Sequence, residues 1–259
     1  MKRQDYGDHD RFWGYELFGR TKKASESFVV VISLVLILFA TLNMYPDNRS
    51  KVICFGDSIT HGAKVDGHSW VYFLSRMSRD VDFVNEGRNG RKTSDREEIL
   101  SVLRRYPCAD CFIIFLGVND LKDGNDSMVN QCVANVKWMI DRVHESCEYA
   151  KTVVLSPPEI NLARMSKLNV GKKYNQNTER SLIVLDEKYE KFSLSDSAGF
   201  VSLLKAVSPE NYVDGLHPNE AGQRQIAQVV WTGIENLLRH VETIKSEQQK
   251  MKNKEERTL

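Results

Sequence analysis

The sequence has no excess of charge of either sign: 36 Lys and Arg stand against 35 Asp and Glu in 259 residues, a formal net charge of +1. A nucleic-acid binder is recognised by a strongly basic domain or face, so nucleic acid is excluded as the expected partner. There is also no second Cys-x-x-Cys to join Cys108 and Cys111, so no four-ligand zinc site is expected. The cysteines number five, which leaves at least one free thiol in a protein that has left the cytosol. Cys54 and Cys111 fall inside apolar strand-like runs and read as core residues. Internal repeats are absent too, and the length suits one α/β domain or at most two small ones.

Charge is missing altogether between Ser27 and Pro46. About twenty apolar residues at a rise of 1.5 Å each cross a hydrocarbon core of ~30 Å. The stretch is apolar all round, unlike an amphipathic core helix. Lys2, Arg3, Arg11, Arg20, Lys22 and Lys23 precede it, and only Arg49 and Lys51 follow closely. The positive-inside bias therefore makes residues 1–26 a cytoplasmic N-terminal tail. It makes 27–46 a transmembrane signal-anchor helix and puts everything after Tyr45 outside. A cleaved signal peptide fits less well, because the polar leader is long and no small-x-small site precedes Pro46. The acidic stretch from Asp5 to Asp10, with His9, reads as a solvated tail rather than a metal site.

Past the anchor, short apolar runs alternate with helical spacing. Strands are expected over 51–55, 81–85, 111–116, 152–155 and 199–203, the third continuous enough to be buried on both faces. Helices are expected over 70–79, 96–105, 129–147 and 181–191, and from Ala221 to about Ile244. Strand alternating with helix gives parallel strands covered on both sides. The fold class is α/β, a three-layer α/β/α sandwich with a five-stranded parallel sheet over 50–244, preceded by one transmembrane helix. Residues 160–174 lack periodicity and read as a surface loop. Residues 245–259 form a charged C-terminal tail, either frayed helix or disordered.

In open parallel sheets, ligands sit beyond the carboxyl ends of the strands. Four polar clusters follow such ends or precede a helix: Gly56-Asp57-Ser58-Ile59-Thr60, Asn85-Glu86-Gly87-Arg88-Asn89-Gly90, Gly117-Val118-Asn119-Asp120 and Asp214-Gly215-Leu216-His217-Pro218-Asn219. Together they suit acyl transfer. The Ser58 hydroxyl is a poor nucleophile until a base takes its proton, and His217 is the candidate. Asp214, three residues earlier, can be folded by a turn onto the other ring nitrogen, fixing the tautomer and stabilising imidazolium. An oxyanion needs donors: the N–H of Ser58 at a helix N-terminus, the N–H of Gly90 and the side-chain amide of Asn119. Taken singly, each cluster is an ordinary turn or cap; their joint occurrence is the signal. Asp57 and Asp120 read as structural, holding loops by side-chain-to-backbone bonds. The lack of any Gly-x-Ser-x-Gly disfavours an α/β-hydrolase elbow.

In this order and spread, the four clusters resemble the sequence blocks of the SGNH (GDSL) hydrolase superfamily, over roughly residues 51–240. The resemblance implies Ser58 as nucleophile, His217 as base and Asp214 as its orienting carboxylate, with Ser58, Gly90 and Asn119 as the oxyanion hole. It also implies a flavodoxin-like sheet and hydrolysis of esters or thioesters with no metal and no cofactor. Cys-Phe-Gly-Asp-Ser, Gly-Arg-Lys-Thr and Val-Leu-Ser-Pro-Pro are most similar to the small arylesterase and acyltransferase branch.

The reading is then a membrane-anchored serine esterase acting on an acyl, aryl, lysophospholipid or O-acetyl-sugar ester. His68 and Trp70 are placed in the acyl pocket, although Trp70 suits a core anchor equally well. Arg88, with Arg91, Lys92 and the basic loop 160–174, hints at an anionic substrate. Two rivals stand beside this reading: an acyltransferase using the same residues, and a non-catalytic membrane-anchored binding protein of the same fold.

Overall fold

The computed structural model describes residues 31–33, 49–107, 109–196 and 198–256. Strands form where β-branched and aromatic residues crowd together: β1 (Ser50–Gly56), β2 (Val81–Gly87), β3 (Cys111–Phe115), β4 (Lys151–Leu155) and β5 (Gly199–Val201). They pair in the order β2-β1-β3-β4-β5, each pair parallel. That is the flavodoxin-like order, whose switch point lies beside the first strand. Val52 sits opposite Phe83 on one side and Cys111 on the other, which fixes the register of β2, β1 and β3.

Helices fill the crossovers: α1 (Ser58–His61), α2 (Trp70–Met77), α3 (Glu98–Arg105), α4 (Asp126–Ser146), α5 (Lys167–Gly171), α6 (Gln176–Ser195) and α7 (Glu220–Glu256). Successive strand side chains point to opposite faces. Ile53, Phe55, Phe112, Ile114 and Val154 therefore pack under α3, α4 and α6. Val52, Cys54, Cys111, Ile113, Phe115 and Val153 pack under α2 and α7. Each large apolar side chain fully buried this way contributes roughly 1.5–3 kcal/mol. The thiols of Cys54 and Cys111 are core groups, and burial pushes the pKa of Cys111 up to about 12.

The structure differs from the sequence expectations at element ends. Helix α4 begins at Asp126 because the Asn125 side chain accepts the N–H of Met128 at 3.1 Å. Helix α6 begins at Gln176 because Asn175 caps it. Such caps satisfy N–H groups that have no partner inside the helix. The stretch 160–174 is not a bare loop; it holds a 3-10 turn, Leu162–Arg164, and α5. Helix α7 runs through the charged tail to Glu256, carried by Glu, Gln and Lys, all good helix formers. Its Lys245 Nζ reaches the Asp110 carboxylate at 3.1 Å.

Apart from residues 31–33, which are helical and exposed, the expected span 27–46 lies outside the described residues, as does the tail 1–26. Among the described residues no helix is long and apolar enough to cross a membrane.

Candidate active site

At Gly56 strand β1 gives way to α1, whose first residue is Ser58. Asp57 caps this short helix, Oδ1 accepting the N–H of Ile59 at 2.9 Å. Helix α1 lies hard against the end of β2. A Cβ on Gly87 would stand 2.2 Å from the backbone nitrogen of His61, so only glycine permits the approach. The N–H of Ser58 makes no hydrogen bond among the described residues.

Ser58 Oγ lies 3.0 Å from His217 Nε2. The turn carrying His217 is closed by the Val213 N–H donating to His217 O at 2.8 Å, with Gly215 at φ +80°. Asp214 Oδ1 accepts the N–H of Leu216 at 3.1 Å and of His217 at 2.8 Å, while Oδ2 is 2.9 Å from His217 Nδ1. An ionised carboxylate only accepts, so Nδ1 carries the proton and Nε2 is left to accept from the serine hydroxyl. Burial alone would raise the pKa of Asp214. Hydrogen bonds from the ring and N–H of His217 and from Leu216 outweigh it and hold the carboxyl well below the usual range.

The segment 160–174 clamps this turn. Asn161 N–H donates to Gly215 O at 2.7 Å, Ser166 N–H to Asp214 O at 3.1 Å, and Asn169 Nδ2 to the same oxygen at 3.2 Å. On the other side, buried Gln223 of α7 accepts the N–H of Trp70 at 2.8 Å and donates to Ile59 O at 3.2 Å. One side chain thus ties the helix after the His217 turn to the helix carrying Ser58.

The two remaining predicted donors sit on neighbouring loops. Gly90 has φ +75°, and its N–H makes no hydrogen bond among the described residues. Asn119 is buried, its Nδ2 reaching Asp57 Oδ2 and Arg91 O, both at 3.2 Å. Its Oδ1 accepts from the Tyr174 hydroxyl at 2.9 Å. Both neighbours of Nδ2 are acceptors only, so a flipped amide would set oxygen against oxygen; the orientation is forced.

Asp120 fastens the two loops together, accepting the Thr93 N–H at 3.0 Å and the Thr93 hydroxyl at 2.7 Å. Asp57 is fully buried, and burial raises its pKa to about 6 against the pull of the Ile59 N–H and nearby His217.

Three expected substrate contacts take other roles. Trp70 is a core residue, 0% exposed, set edge-on to Phe115 with Nε1 donating to Thr60 at 3.2 Å. It walls no pocket. His68 pairs with Glu220 at 2.7 Å and stacks on Tyr72. Arg88 is held by Asp95 at 2.6 Å and Glu98 at 2.9 Å, which neutralise the charge an anionic ligand would need. Arg91 is likewise spent: it donates to Gly56 O at 2.6 Å and Glu98 at 3.0 Å and lies over the Phe55 ring. Sequence reasoning missed Tyr174 and Gln223. Both are polar groups buried at the meeting of two elements, and one chain offers no pattern for that.

A serine hydroxyl, an imidazole and a carboxylate in hydrogen-bonded series, beside the switch point of a parallel sheet, define the class: an α/β protein built for serine-based acyl transfer. The model of the GDSL-like lipase/acylhydrolase family matches residues 54–225, and the chain belongs to that family, a class of ester-bond hydrolases.

Among solved structures, an aryl esterase of M. Smegmatis is 21% identical with a TM-score of 0.64, covering 73% of this chain and 99% of that one. A carbohydrate acetylesterase family member from Sinorhizobium meliloti is 18% identical with a TM-score of 0.61, covering 75% and 99%. At such identities the likeness is one of fold. An uncharacterized protein of Mycoplasma pneumoniae is 28% identical over 184 residues, 66% of this chain but 20% of that protein, so the chain spans about a fifth of that relative.

Proposed function

We propose that this protein is a serine esterase that works through an acyl-enzyme on Ser58. The observation that carries the reading is the 3.0 Å contact of Ser58 Oγ with His217 Nε2, whose other nitrogen is 2.9 Å from Asp214. His217 takes the serine proton as Oγ attacks the ester carbonyl, and Asp214 stabilises the imidazolium that forms. The oxyanion is received by the N–H groups of Ser58 and Gly90, which have no partner among the described residues, and by Asn119 Nδ2. The amide's two contacts at 3.2 Å are long for N–H···O bonds, so a full negative charge competes with them effectively. His217 then protonates the leaving alcohol, and water enters by the same route in reverse. No step asks for a metal or cofactor.

The small aryl and carbohydrate acetyl esters named for the structural neighbours are the first substrates to try. Residues 27–46 would tether the enzyme to a membrane as a signal anchor, leaving the N-terminus in the cytoplasm and the hydrolase domain outside; the uncharged run and the cluster of cations before it support this.

The test is hydrolysis of p-nitrophenyl esters from two to sixteen carbons by the full chain, beside Ser58→Ala. Serine-dependent turnover, with an acyl adduct on the Ser58 peptide by mass spectrometry, is expected. A folded protein inert on every ester would sink the catalytic reading in favour of binding alone. Protease accessibility of the domain in sealed vesicles checks the topology.

A further inference from the structure

Cations that flank the site are mostly consumed by acceptors. Arg88 and Arg91 are ion-paired, and Arg164 donates to Glu210 O at 2.6 Å. Three lysines are different. Lys92 follows Gly90, Lys122 follows Asn119, and Lys172 closes α5 two residues before Tyr174. None of the three makes an ion pair or a side-chain hydrogen bond among the described residues. Three loops thus bring to the same rim one ammonium each that has no ion pair among the described residues.

Lys122 is the innermost. It is half-buried, with Nζ 5.4 Å from the centre of the Tyr174 ring, whose hydroxyl holds Asn119. Burial, and then the fields of Lys92 and Lys172, pull its pKa down, with Asp120 opposing them. The Asp120 carboxylate is committed to Thr93, and Asp95, which accepts the Lys92 backbone N–H at 3.1 Å, is paired with Arg88. Lys92 also lines a cavity of about 180 Å³ with Ser94, Asp120, Met128, Gln131 and Asn135. Desolvating a cation among like charges is unfavourable in the free protein. It becomes favourable when an anion docks among them.

We infer that Lys122, with Lys92 and Lys172, selects esters that carry an anionic group, carboxylate or phosphate, on the part of the substrate lying past the Asn119–Tyr174 pair. The inference rests on the serine-esterase reading for its chemistry but concerns recognition alone. Of the cations expected to meet an anion it drops Arg88 and Arg91, keeps Lys92, together with Lys172 of the basic loop, and adds Lys122.

Matched ester pairs test it: p-nitrophenyl hemiglutarate against p-nitrophenyl butyrate for a charge on the acyl side, and 4-acetoxybenzoate against its methyl ester for one on the leaving side. The full chain should favour the anionic member of at least one pair by roughly tenfold in kcat/KM at low salt, fading as salt screens the charges. Lys122→Gln should bring that ratio close to one, Lys122→Arg should retain it, and Lys137→Gln, far off on α4, should leave it alone. A neutral preference on both pairs, or a ratio untouched in both Lys122→Gln and Lys92→Gln, would overturn the inference.

Calorimetric titration of Ser58→Ala with the same esters reads recognition without chemistry. Anion-selective binding that is lost in Ser58→Ala/Lys122→Gln would stand even if the native chain turned nothing over, which would refute only the catalytic reading. Equal binding of both members of each pair would refute charge selection and leave catalysis intact.

Discussion

Tyr174→Phe removes one oxygen atom, the one that holds Asn119 Oδ1 while Asp57 and Arg91 O hold the amide nitrogen. The hydroxyl donates to Oδ1 at 2.9 Å, and both groups are buried. Burial, and then the charges of Asp57, Asp120 and Asp214, push the phenol pKa up, so it remains a donor through any assay range. A whole oxyanion donor is worth about 3 kcal/mol, so Asn119→Ala should cost on the order of a hundredfold in kcat. Tyr174→Phe leaves that donor present but held only through the two long contacts of Nδ2 with Asp57 and Arg91 O. The loss should match one neutral hydrogen bond, about 1–1.5 kcal/mol, or roughly tenfold in kcat with KM little changed.

The stranded buried carbonyl also costs stability, about 1–3 kcal/mol, readable by urea unfolding. A general loss of packing would not produce the next result. In the Asn119→Ala background there is no amide to hold, so Tyr174→Phe should add almost nothing to the kcat loss, a non-additive cycle. Measuring kcat and KM on p-nitrophenyl acetate for the four proteins decides it. Multiplication of the two losses, or an unchanged kcat in Tyr174→Phe alone, would refute the positioning role.

Two further outcomes follow from the same geometry. Gly87→Ala drives a Cβ to 2.2 Å from the His61 backbone nitrogen, so α1 must lift from β2. It should lower stability by about 1–3 kcal/mol and reduce turnover while the remaining protein stays folded, by circular dichroism against an activity titration; full activity would show that the helix seat is not required. Asp57 has a folded-state pKa raised to about 6, above the ~4 of an unfolded chain. Its stabilising share is complete below pH ~4 and lost as pH rises through ~6. The stability of wild type relative to Asp57→Asn should therefore fall across that window, by on the order of 2–3 kcal/mol for a shift of about two units. A difference that is flat or rises with pH in denaturation experiments would contradict the burial of the charge.

How much of this was legible in one sequence depends on how freely each position can vary. Layering followed from apolar runs alternating with helical spacing, because a strand buried on both faces has no other way to be written, whereas the flavodoxin-like strand order was only implied by the family resemblance. Element ends were missed where a side-chain cap set them, as with Asn125 and Asn175, since a cap is a local hydrogen bond and not a period. Ser58, Asp214, His217, Gly90 and Asn119 could be picked out because their chemistry or backbone conformation allows few substitutes. Trp70 could not be resolved between pocket and core: a large aromatic beside a nucleophile suits either, and only its contact with Phe115 and Thr60 decides. Arg88 and Lys122 show the same limit for charge. Both are cations near the site in the chain, but Arg88 is ion-paired to two carboxylates in space and Lys122 forms no ion pair among the described residues.

The groups that hold the site were the least visible, and the reason is physical. An oxyanion donor must lack a strong partner in the free protein, as the N–H groups of Ser58 and Gly90 do, or it cannot strengthen its bond in the transition state. A donor without a partner cannot fix its own position. Rigidity has to come from neighbours whose bonds are complete: Tyr174 on Asn119, Asp120 on Thr93, Gln223 between Trp70 and Ile59. These neighbours need only supply a hydrogen bond of the right sense and reach, so many residue types at many chain positions would serve. Tyr174 and Gln223 leave no motif, yet each is buried, and truncating one strands its partner. Legibility therefore divides the positioning groups: Asp120 lies in a motif and is readable as a loop holder, whereas Tyr174 and Gln223 are recognised only once the chain is folded.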